Sequence, residues 1–367
     1  MKITGAVLEQ IGAPAPYAQS APISVTELEL DPPQRGEILV KIEAAGVCHS
    51  DLSVVDGSRL RPVPMLLGHE AAGRVVGTGD DVDLAIGQRV VMTFLPRCGE
   101  CAACATGGRL PCQAGSASNG VGELIGGGRR LRRGDETINH HLGVSGFADH
   151  AVVSALSVVP VDDDVPPEVA AVLGCAVLTG GGAVINAGQP QDGDDVIVVG
   201  LGGVGMAAVM VARSRGLGKV IGVDAMESKF DAARDMGAHV VYTPDEALAH
   251  GVKAAVVVEA AGNVRAFETA IALTAPGGIT VTAGLPDPAA MAHVSPTGLT
   301  AEARRIAGSY LGSAVPSRDI PTYVDQWRAG QLPVEKLISS AVGLDAINTA
   351  MDRLSNGDTI RQIVQFS

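Results

Sequence analysis

Residues 194–216, DDVIVVGLGGVGMAAVMVARSRG, carry the clearest signal of the fold in this chain. The VIVV segment is a short β-branched apolar run, which is typical of a buried parallel strand. The GLGGVG turn that follows places Gly200, Gly202 and Gly205 in a G-x-G-x-x-G pattern, and an Ala/Val/Met-rich helical stretch comes next. A second strand, KVIGVD, ends in Asp224. Strand, glycine turn, helix, strand and acidic residue within about 30 residues predict a dinucleotide-binding unit.

Each residue of this unit has a physical role in binding a dinucleotide. Gly200 allows the tight turn, Gly202 lets the backbone approach a pyrophosphate, and Gly205 lets the helix pack close to the strand. Asp224 can accept hydrogen bonds from the adenosine ribose and would repel a 2′-phosphate, so the pattern favours NAD over NADP. The alternative is a glycine turn that serves tight packing alone, with no ligand.

Further apolar strand candidates alternate with helical patterns after this unit. They are HVVY (239–242), AAVVVEAAG (254–262), GGITVTAG (277–284) and RIAGSYLG (305–312). Six strands that alternate with helices predict a doubly wound parallel sheet, an α/β fold. The residues before it hold short β-like runs broken by Gly and Pro, such as GEILVKIEAAG (36–46), and indicate an antiparallel or barrel-like domain.

Four of the six cysteines lie in one short segment, CGECAACATGGRLPC, residues 98–112. Their spacing, C-x2-C-x2-C-x7-C, indicates a metal site in a reducing compartment, and four thiolates suit tetrahedral zinc. An iron–sulfur cluster is the rival, because C-x2-C-x2-C also opens ferredoxin sequences, but those continue with x3-C-P. The four residues are Cys98, Cys101, Cys104 and Cys112.

The other two cysteines lie far apart in the sequence. Cys48 belongs to GVCHSD and Cys175 to LGCAVLTG, with His69 of GHE between them. Two thiolates and one imidazole form a known catalytic zinc set that leaves one position open. From the residues alone, plain packing of each buried cysteine is the alternative.

Composition excludes several functional classes. The 367-residue chain carries a formal net charge of −13, whereas a nucleic-acid partner requires a basic footprint. We expect no membrane-spanning helix, because no apolar run reaches about 18 residues. The start, MKITGAVLEQIGAP, lacks the pattern of a signal peptide, so we expect a cytoplasmic protein. The one basic run, RRLRRGD (129–135), is expected to be a solvated loop.

Together the motifs resemble one family over essentially the whole chain. GVCHSD, GHE, the four-cysteine segment, LGC, GLGGVG and Asp224 occur in the order seen in zinc-dependent medium-chain alcohol dehydrogenases, and the chain looks like their liver-type branch. The resemblance implies a Rossmann doubly wound parallel sheet inserted in a GroES-like β-rich catalytic domain. The implied domains are 1–176 (GroES-like, with a structural-zinc lobe at 98–112), 177–311 (Rossmann, NAD-binding) and 312–367 (return to the catalytic domain).

The resemblance also implies two zinc ions per chain. Cys48, His69 and Cys175 match the ligands of the catalytic zinc, and the four clustered cysteines match those of the structural zinc. Asp51 and Glu70 match carboxylates that lie behind the ligands, and Asp51 would orient His69.

Catalytic and binding positions follow from the same resemblance. Ser50 matches the hydroxyl that takes the alcohol proton, and Ser53 stands where many relatives have a histidine, so the proton would leave by water past Ser53 or through another base. His49 and Arg361 match pyrophosphate contacts, and His49 is also predicted as a catalytic position together with Ser50 and Ser53. The full set of matching cofactor positions is His49, Thr179, Gly200, Gly202, Gly203, Val204, Gly205, Asp224, Lys229 and Arg361, and the substrate-pocket positions are Phe94, His141 and Leu142.

The implied activity is hydride transfer between NAD(H) and a primary or aromatic alcohol, or its aldehyde. The expected protein is a cytoplasmic homodimer that binds neither nucleic acid nor membranes. Two alternatives remain: a polyol- or thiol-adduct-oxidising branch of the same family, and a non-catalytic NAD-binding redox sensor.

Overall fold

The computed structural model describes residues 1–366. It divides into two compact units. Unit one comprises Met1–Cys175, Val315–Pro321 and the chain from Ile338 onward, and unit two comprises Ala176–Ala314 and Thr322–Leu337. The domain prediction assigned the whole of 312–367 to the catalytic domain, whereas residues 322–337 here belong to unit two.

The described residues form eighteen strands. In chain order they are β1 (Lys2–Leu8), β2 (Ile23–Leu30), β3 (Glu37–Val47), β4 (Met65–Leu66), β5 (Ala71–Thr78), β6 (Arg89–Met92), β7 (Leu131–Arg133), β8 (Glu136–His140), β9 (His150–Ser154), β10 (Val158–Val161), β11 (Val196–Val199), β12 (Val220–Val223), β13 (Val240–Tyr242), β14 (Ala254–Glu259), β15 (Thr274–Thr282), β16 (Arg305–Gly308), β17 (Ile338–Val342) and β18 (Arg361–Gln365).

Thirteen α-helices occur in the same range. They are α1 (Tyr17–Ser20), α2 (His49–Val55), α3 (Ala102–Ala105), α4 (Gln113–Val121), α5 (Pro167–Val172), α6 (Leu178–Gly182), α7 (Gly203–Ser214), α8 (Phe230–Asp235), α9 (Pro244–Ala249), α10 (Val264–Leu273), α11 (Pro296–Ala301), α12 (Pro316–Arg328) and α13 (Ile347–Ser355). Two π-helical segments, Leu173–Val177 and Ala183–Gly188, flank α6.

Unit two is built on one six-stranded sheet. Its strand order is β13-β12-β11-β14-β15-β16, and every neighbouring pair is parallel. The central strand β11 is fully buried, as its unbroken β-branched sequence predicts. Chain order reverses between β11 and β14, which is the point of a doubly wound sheet where ligands bind at the carboxyl ends of the strands. The predicted doubly wound parallel sheet is confirmed.

Unit one is β-rich, as the sequence indicates. Strands β1, β2, β7, β8 and β4 close into a barrel, and a seven-stranded sheet has the order β10-β6-β5-β3-β18-β17, with β9 also paired to β3. All pairs are antiparallel except β4 with β8 and β17 with β18. Phe147 and Met92, both fully buried, are among the large side chains of its core. The predicted barrel-like architecture is confirmed.

The basic run at 129–135 is not a solvated loop, so that prediction is wrong. Residues Leu131–Arg133 form β7, and Arg130 is only 6% exposed. Its guanidinium donates to both carboxylate oxygens of Glu37, at 2.8 and 2.6 Å. The carboxylate of Glu37 compensates for the loss of hydration of the Arg130 charge. The prediction failed because Glu37 lies 93 positions away and no local sequence pattern indicates the pairing.

One helical stretch is long and apolar enough to cross a membrane by length and composition alone. Pro167–Gly188 has 22 residues and a mean hydropathy of 1.8. Of its most apolar window, 89% is buried inside the protein, which is the usual situation of a core helix.

Candidate functional site

A cluster of potential metal-ligand atoms lies in the interior of unit one. The ligand atoms of Cys48, His69, Glu70 and Cys175 all lie within 4.8 Å of one another, and all four residues are buried. The Sγ of Cys175 is 3.5 Å from the Nε2 of His69. The structure thus brings together the three predicted zinc ligands, and it adds the carboxylate of Glu70 to the group.

The start of helix α2, the hydrogen bonds of Asp51 and a π-helical segment position these donor atoms. Cys48 directly precedes helix α2, and Asp51 in the first turn accepts a hydrogen bond from the backbone N–H of Cys48 at 3.0 Å. Asp51 Oδ1 also lies 3.0 Å from Nδ1 of His69. An imidazole that donates Nδ1–H to a carboxylate keeps its Nε2 lone pair free for a metal. Cys175 lies in the π-helical segment, a feature often found at functional sites.

Two predicted pocket residues surround the same imidazole. Phe94 and His141 each contact the ring of His69 edge to face, at centroid distances of 5.6 and 5.5 Å. His141 Nδ1 lies 3.1 Å from Asp51 Oδ1 but is not aligned for a hydrogen bond. Leu142, the third predicted pocket residue, is 6% exposed and has a φ of +52°. Phe94 and His141 therefore lie beside the candidate ligand His69, and Leu142 is the next residue in the chain after His141.

The charges of the cluster depend strongly on one another. The hydrogen bond from Cys175, followed by the charges of Arg361 and His69, holds the pKa of Cys48 well below its usual value. The same bond, together with burial, raises the pKa of Cys175. Burial opposes a charge on His69, yet Asp51 and Cys48 raise its pKa well above the usual value. The hydrogen bond between the two thiols therefore favours a proton on Cys175 over one on Cys48, and a bound cation would favour ionisation of both.

Asp51 remains ionised despite its complete burial. Burial alone would raise the pKa of its carboxyl group, but the charge of His69 and the proximity of His141 lower it to about 2. Asp51 therefore supplies a permanent negative charge behind His69.

Glu70 and Arg361 form a buried pair next to the candidate ligands. Arg361 Nε lies 3.4 Å from Glu70 Oε1, and Arg361 Nη1 donates to the backbone oxygen of Val47 at 3.0 Å. Burial raises the pKa of Glu70 to about 7, against the opposing charge of Arg361. Sequence analysis missed this pair because its members lie far apart in the chain, and the family resemblance assigned Arg361 to a pyrophosphate contact. The pyrophosphate contact of Arg361 remains a prediction. The residue is 2% exposed and lies beside Glu70.

The second donor cluster is the predicted four-cysteine segment. The Sγ atoms of Cys98, Cys101, Cys104 and Cys112 lie within 4.8 Å of one another, and none forms a disulfide. Backbone N–H groups of Cys104 and Gln113 lower the pKa of Cys101 to about 6. Burial and the neighbouring thiols raise the pKa of Cys104 to about 12. Four thiolates at this separation repel one another unless a cation lies between them.

The glycine turn of unit two has the expected geometry. Gly200 has a φ of +94°, and a Cβ on Gly205 would lie 1.7 Å from the backbone oxygen of Gly200. Only glycine permits either arrangement. The space around Gly202 is open, since a Cβ there would meet no atom within 4 Å. Gly202 directly precedes helix α7, whose first residues are Gly203 and Val204.

Asp224 binds back to this turn. Its Oδ2 accepts a hydrogen bond from the backbone N–H of Leu201 at 2.7 Å, and its Oδ1 accepts one from Met226 at 2.9 Å. Lys229 Nζ lies 3.3 Å from Asp224 Oδ2. The predicted acid and lysine are therefore adjacent at the end of β12, and the acid also fixes the glycine turn.

The remaining predicted residues lie on two helices. His49, Ser50 and Ser53 belong to α2, where His49 is exposed and both serines are half-buried. The Ser53 hydroxyl donates to the backbone oxygen of His49 at 2.8 Å. Thr179 is buried in α6 of unit two.

Comparisons with known proteins agree with this arrangement. Residues 34–163 match the alcohol dehydrogenase GroES-like domain, and residues 203–328 match the zinc-binding dehydrogenase domain. NDMA-dependent alcohol dehydrogenase of Amycolatopsis methanolica is 34% identical, with 100% of both chains covered. Alcohol dehydrogenase B of Mycobacterium tuberculosis is 33% identical over 94% of this chain and 96% of its own.

A solved structure extends the likeness to three dimensions. The crystal structure of benzyl alcohol dehydrogenase from Acinetobacter calcoaceticus has a TM-score of 0.90 and 28% identity, and 100% of both chains is covered. The two clusters of candidate metal ligands and the glycine turn agree with these matches. The two family-domain matches and the full-length relatives show that the chain belongs to the zinc-dependent medium-chain alcohol dehydrogenase family, whose members are oxidoreductases.

Proposed function

We propose that this enzyme transfers a hydride between NAD(H) and a primary or aromatic alcohol, or the corresponding aldehyde. The observation that carries the proposal is the convergence of Cys48, His69 and Cys175, whose donor atoms lie within 4.8 Å of one another. The edge-to-face contact of Phe94 with His69 supports an aromatic wall near this point. The structural relative named benzyl alcohol dehydrogenase supports an aromatic substrate class.

The donor set supports zinc at this cluster. Two thiols and one imidazole suit a catalytic zinc with an open position. Asp51 would hold a proton on Nδ1 of His69, so that a metal can replace the proton on Nε2. When bound, zinc would act there as a Lewis acid toward the substrate oxygen. We propose that the four clustered cysteines hold a second, structural zinc, because their donors are all sulfur and leave no open position.

Helix α2 supplies the proposed proton path. Ser50 would receive the alcohol proton, and because a serine hydroxyl has no useful pKa it must pass that proton onward. Ser53 would have to release its bond to His49 to take part, so we favour water as the next acceptor. Ser50→Ala should lower kcat at neutral pH far more than Ser53→Ala, and equal losses would contradict this ranking.

The glycine turn is the proposed NAD site. The open space at Gly202 and the N-terminus of α7 support a pyrophosphate contact, and the carboxylate of Asp224 supports NAD over NADP. We also propose pyrophosphate contacts from His49 and Arg361. Bound NAD would accept the hydride. Neighbouring cofactor contacts are proposed for Thr179, Gly200, Gly203, Val204, Gly205 and Lys229.

Assembly, location and domain limits remain proposals as well. We propose a cytoplasmic homodimer with a catalytic domain at 1–176 and 312–367 and an NAD-binding domain at 177–311, except that residues 322–337 belong to the compact unit of the NAD-binding domain. A thiol-adduct substrate is less favoured, because helix α4, which follows the fourth cysteine, has no cationic side chain for an acidic adduct.

One experiment separates the proposed activity from its alternatives. Purified protein is assayed for metal content and for NADH absorbance with primary, aromatic and secondary alcohols, polyols and a formaldehyde–thiol adduct. We expect two zinc ions per chain and the highest kcat/KM with a primary or aromatic alcohol. Two zinc ions without turnover of any substrate would contradict the proposal and favour a redox sensor.

A further inference from the structure

Unit two contains a buried carboxylate that is not among the proposed catalytic, metal-binding or cofactor-binding residues. Glu259 is the last residue of β14 and is only 1% exposed. Its strand neighbours β11, the strand that leads into the glycine turn, with Glu259 directly opposite Val199. The residue therefore lies at the carboxyl ends of the strands, where chain order reverses and ligands of doubly wound sheets bind.

Three short hydrogen bonds occupy this carboxylate. Oε1 accepts from the backbone N–H groups of Ala261 and Gly262, at 2.8 and 2.6 Å, and Oε2 accepts from the hydroxyl of Thr282 at 2.8 Å. Thr282 ends β15 on the other side of β14. Burial of a carboxylate costs free energy unless hydrogen-bond donors replace its water. These three donors therefore compensate for the burial of Glu259.

The loop that Glu259 holds also contacts the glycine turn. A Cβ on Gly200 would lie 2.5 Å from the backbone nitrogen of Ala261. The backbone N–H of Ala260 donates to Val199, the residue before Gly200, at 2.8 Å. One carboxylate thus links the ends of β14 and β15 and holds the loop 260–262 against the turn after β11.

We propose that Glu259 is a positioning residue for the dinucleotide site: by holding residues 260–262 against the Gly200 turn, it fixes the wall of the crevice where the cofactor binds. This inference rests on the proposed NAD site at the glycine turn. Loss of the carboxylate would free the loop and weaken cofactor binding, whereas the zinc clusters of unit one contain no atom of this network.

The test measures the Kd for NADH by fluorescence titration and the KM for NAD and for the alcohol. Glu259→Ala should weaken NADH binding at least about tenfold and raise the KM for NAD more than that for alcohol, with zinc content and far-UV circular dichroism unchanged. Glu259→Gln keeps a carbonyl oxygen for the two backbone N–H groups, so its Kd should stay within about threefold of wild type. Thr282→Val removes only the hydrogen bond from the hydroxyl to Glu259, so its Kd for NADH should lie between those of wild type and Glu259→Ala.

Thr280→Val is the matched control. Thr280 is buried on β15 and shares a 2.6 Å hydrogen bond with Thr274, so the variant loses a buried bond of the same sheet that does not involve Glu259 or the loop 260–262. We expect its Kd for NADH to equal that of wild type.

Two results would overturn the inference alone: a folded Glu259→Ala that binds NADH within about twofold of wild type, or a Glu259→Gln as weak as Glu259→Ala. Wild-type protein that binds no NADH would instead overturn the proposed function, and this inference with it.

Discussion

The buried histidine His140 should make unit one sensitive to mild acid. It ends strand β8 and is 1% exposed. Its Nε2 accepts a hydrogen bond from the backbone N–H of Arg130 at 3.0 Å, and its Nδ1 lies 3.3 Å from the hydroxyl of Ser145. Burial, reinforced by the charges of Arg130 and Arg129, lowers the pKa of His140 from 6.5 to about 3.

The size of the effect follows from proton linkage. In unfolded chains this histidine takes up a proton below a pH of about 6.5, whereas in the folded protein it stays neutral down to about pH 3. A depressed folded pKa gives stability that is present above the unfolded pKa and lost as pH falls. Each pH unit costs about 1.4 kcal/mol, so the free energy of unfolding drops by about 2 kcal/mol between pH 6.5 and 5.

The substitution His140→Gln isolates this contribution. The amide has no titration in this range and keeps an oxygen that can accept from Arg130. We expect urea unfolding, followed by circular dichroism, to show that wild type loses about 2 kcal/mol more than His140→Gln between pH 7 and pH 5. The control His293→Gln, at a histidine whose side chain is 99% exposed, should follow wild type. If the free energy of unfolding depends on pH equally in wild type and His140→Gln, the buried neutral His140 is not the cause of the acid sensitivity.

Three further predictions concern the proposed sites. Asp51→Asn should weaken zinc retention at the first cluster about 10- to 100-fold, measured by chelator competition, because His69 loses its anionic partner; unchanged retention would contradict this role. Cys112→Ser should remove one zinc per chain and lower Tm by at least about 5 °C in calorimetry, because a structural zinc contributes folding energy; an unchanged zinc content would rule out the four-sulfur site. Asp224→Asn should raise the ratio of kcat/KM for NADP to that for NAD at least about tenfold, by removing a charge that repels the 2′-phosphate, and a constant ratio would argue against that repulsion.

The sequence predicts unit two well because its signals are local. VIVV, the glycine turn and Asp224 lie within one βαβ unit, and strands buried on both faces are recognisable as continuous apolar runs. Unit one is different, since its barrel closes through pairs such as β2 with β7, which lie about a hundred residues apart. Periodicity indicates β-structure there but does not specify which strands pair, so the GroES-like fold came from the resemblance.

The candidate site divides in the same way. The motifs identify Cys48, His69 and Cys175 because their residue types carry metal chemistry. They do not identify the contact of His141 with Asp51, nor the pairing of Arg361 with Glu70, because only the tertiary fold brings those side chains together. Arg130 was misread for the same reason: its charge is visible in the sequence, and its buried partner is not.

The most direct test of zinc binding by Cys48, His69 and Cys175 is a crystal structure with anomalous diffraction data collected at the zinc edge. We expect two peaks per chain. One should lie about 2.3 Å from the Sγ atoms of Cys48 and Cys175 and about 2.0–2.1 Å from Nε2 of His69. A fully zinc-loaded protein with no anomalous peak among these three side chains would contradict the proposed catalytic zinc site.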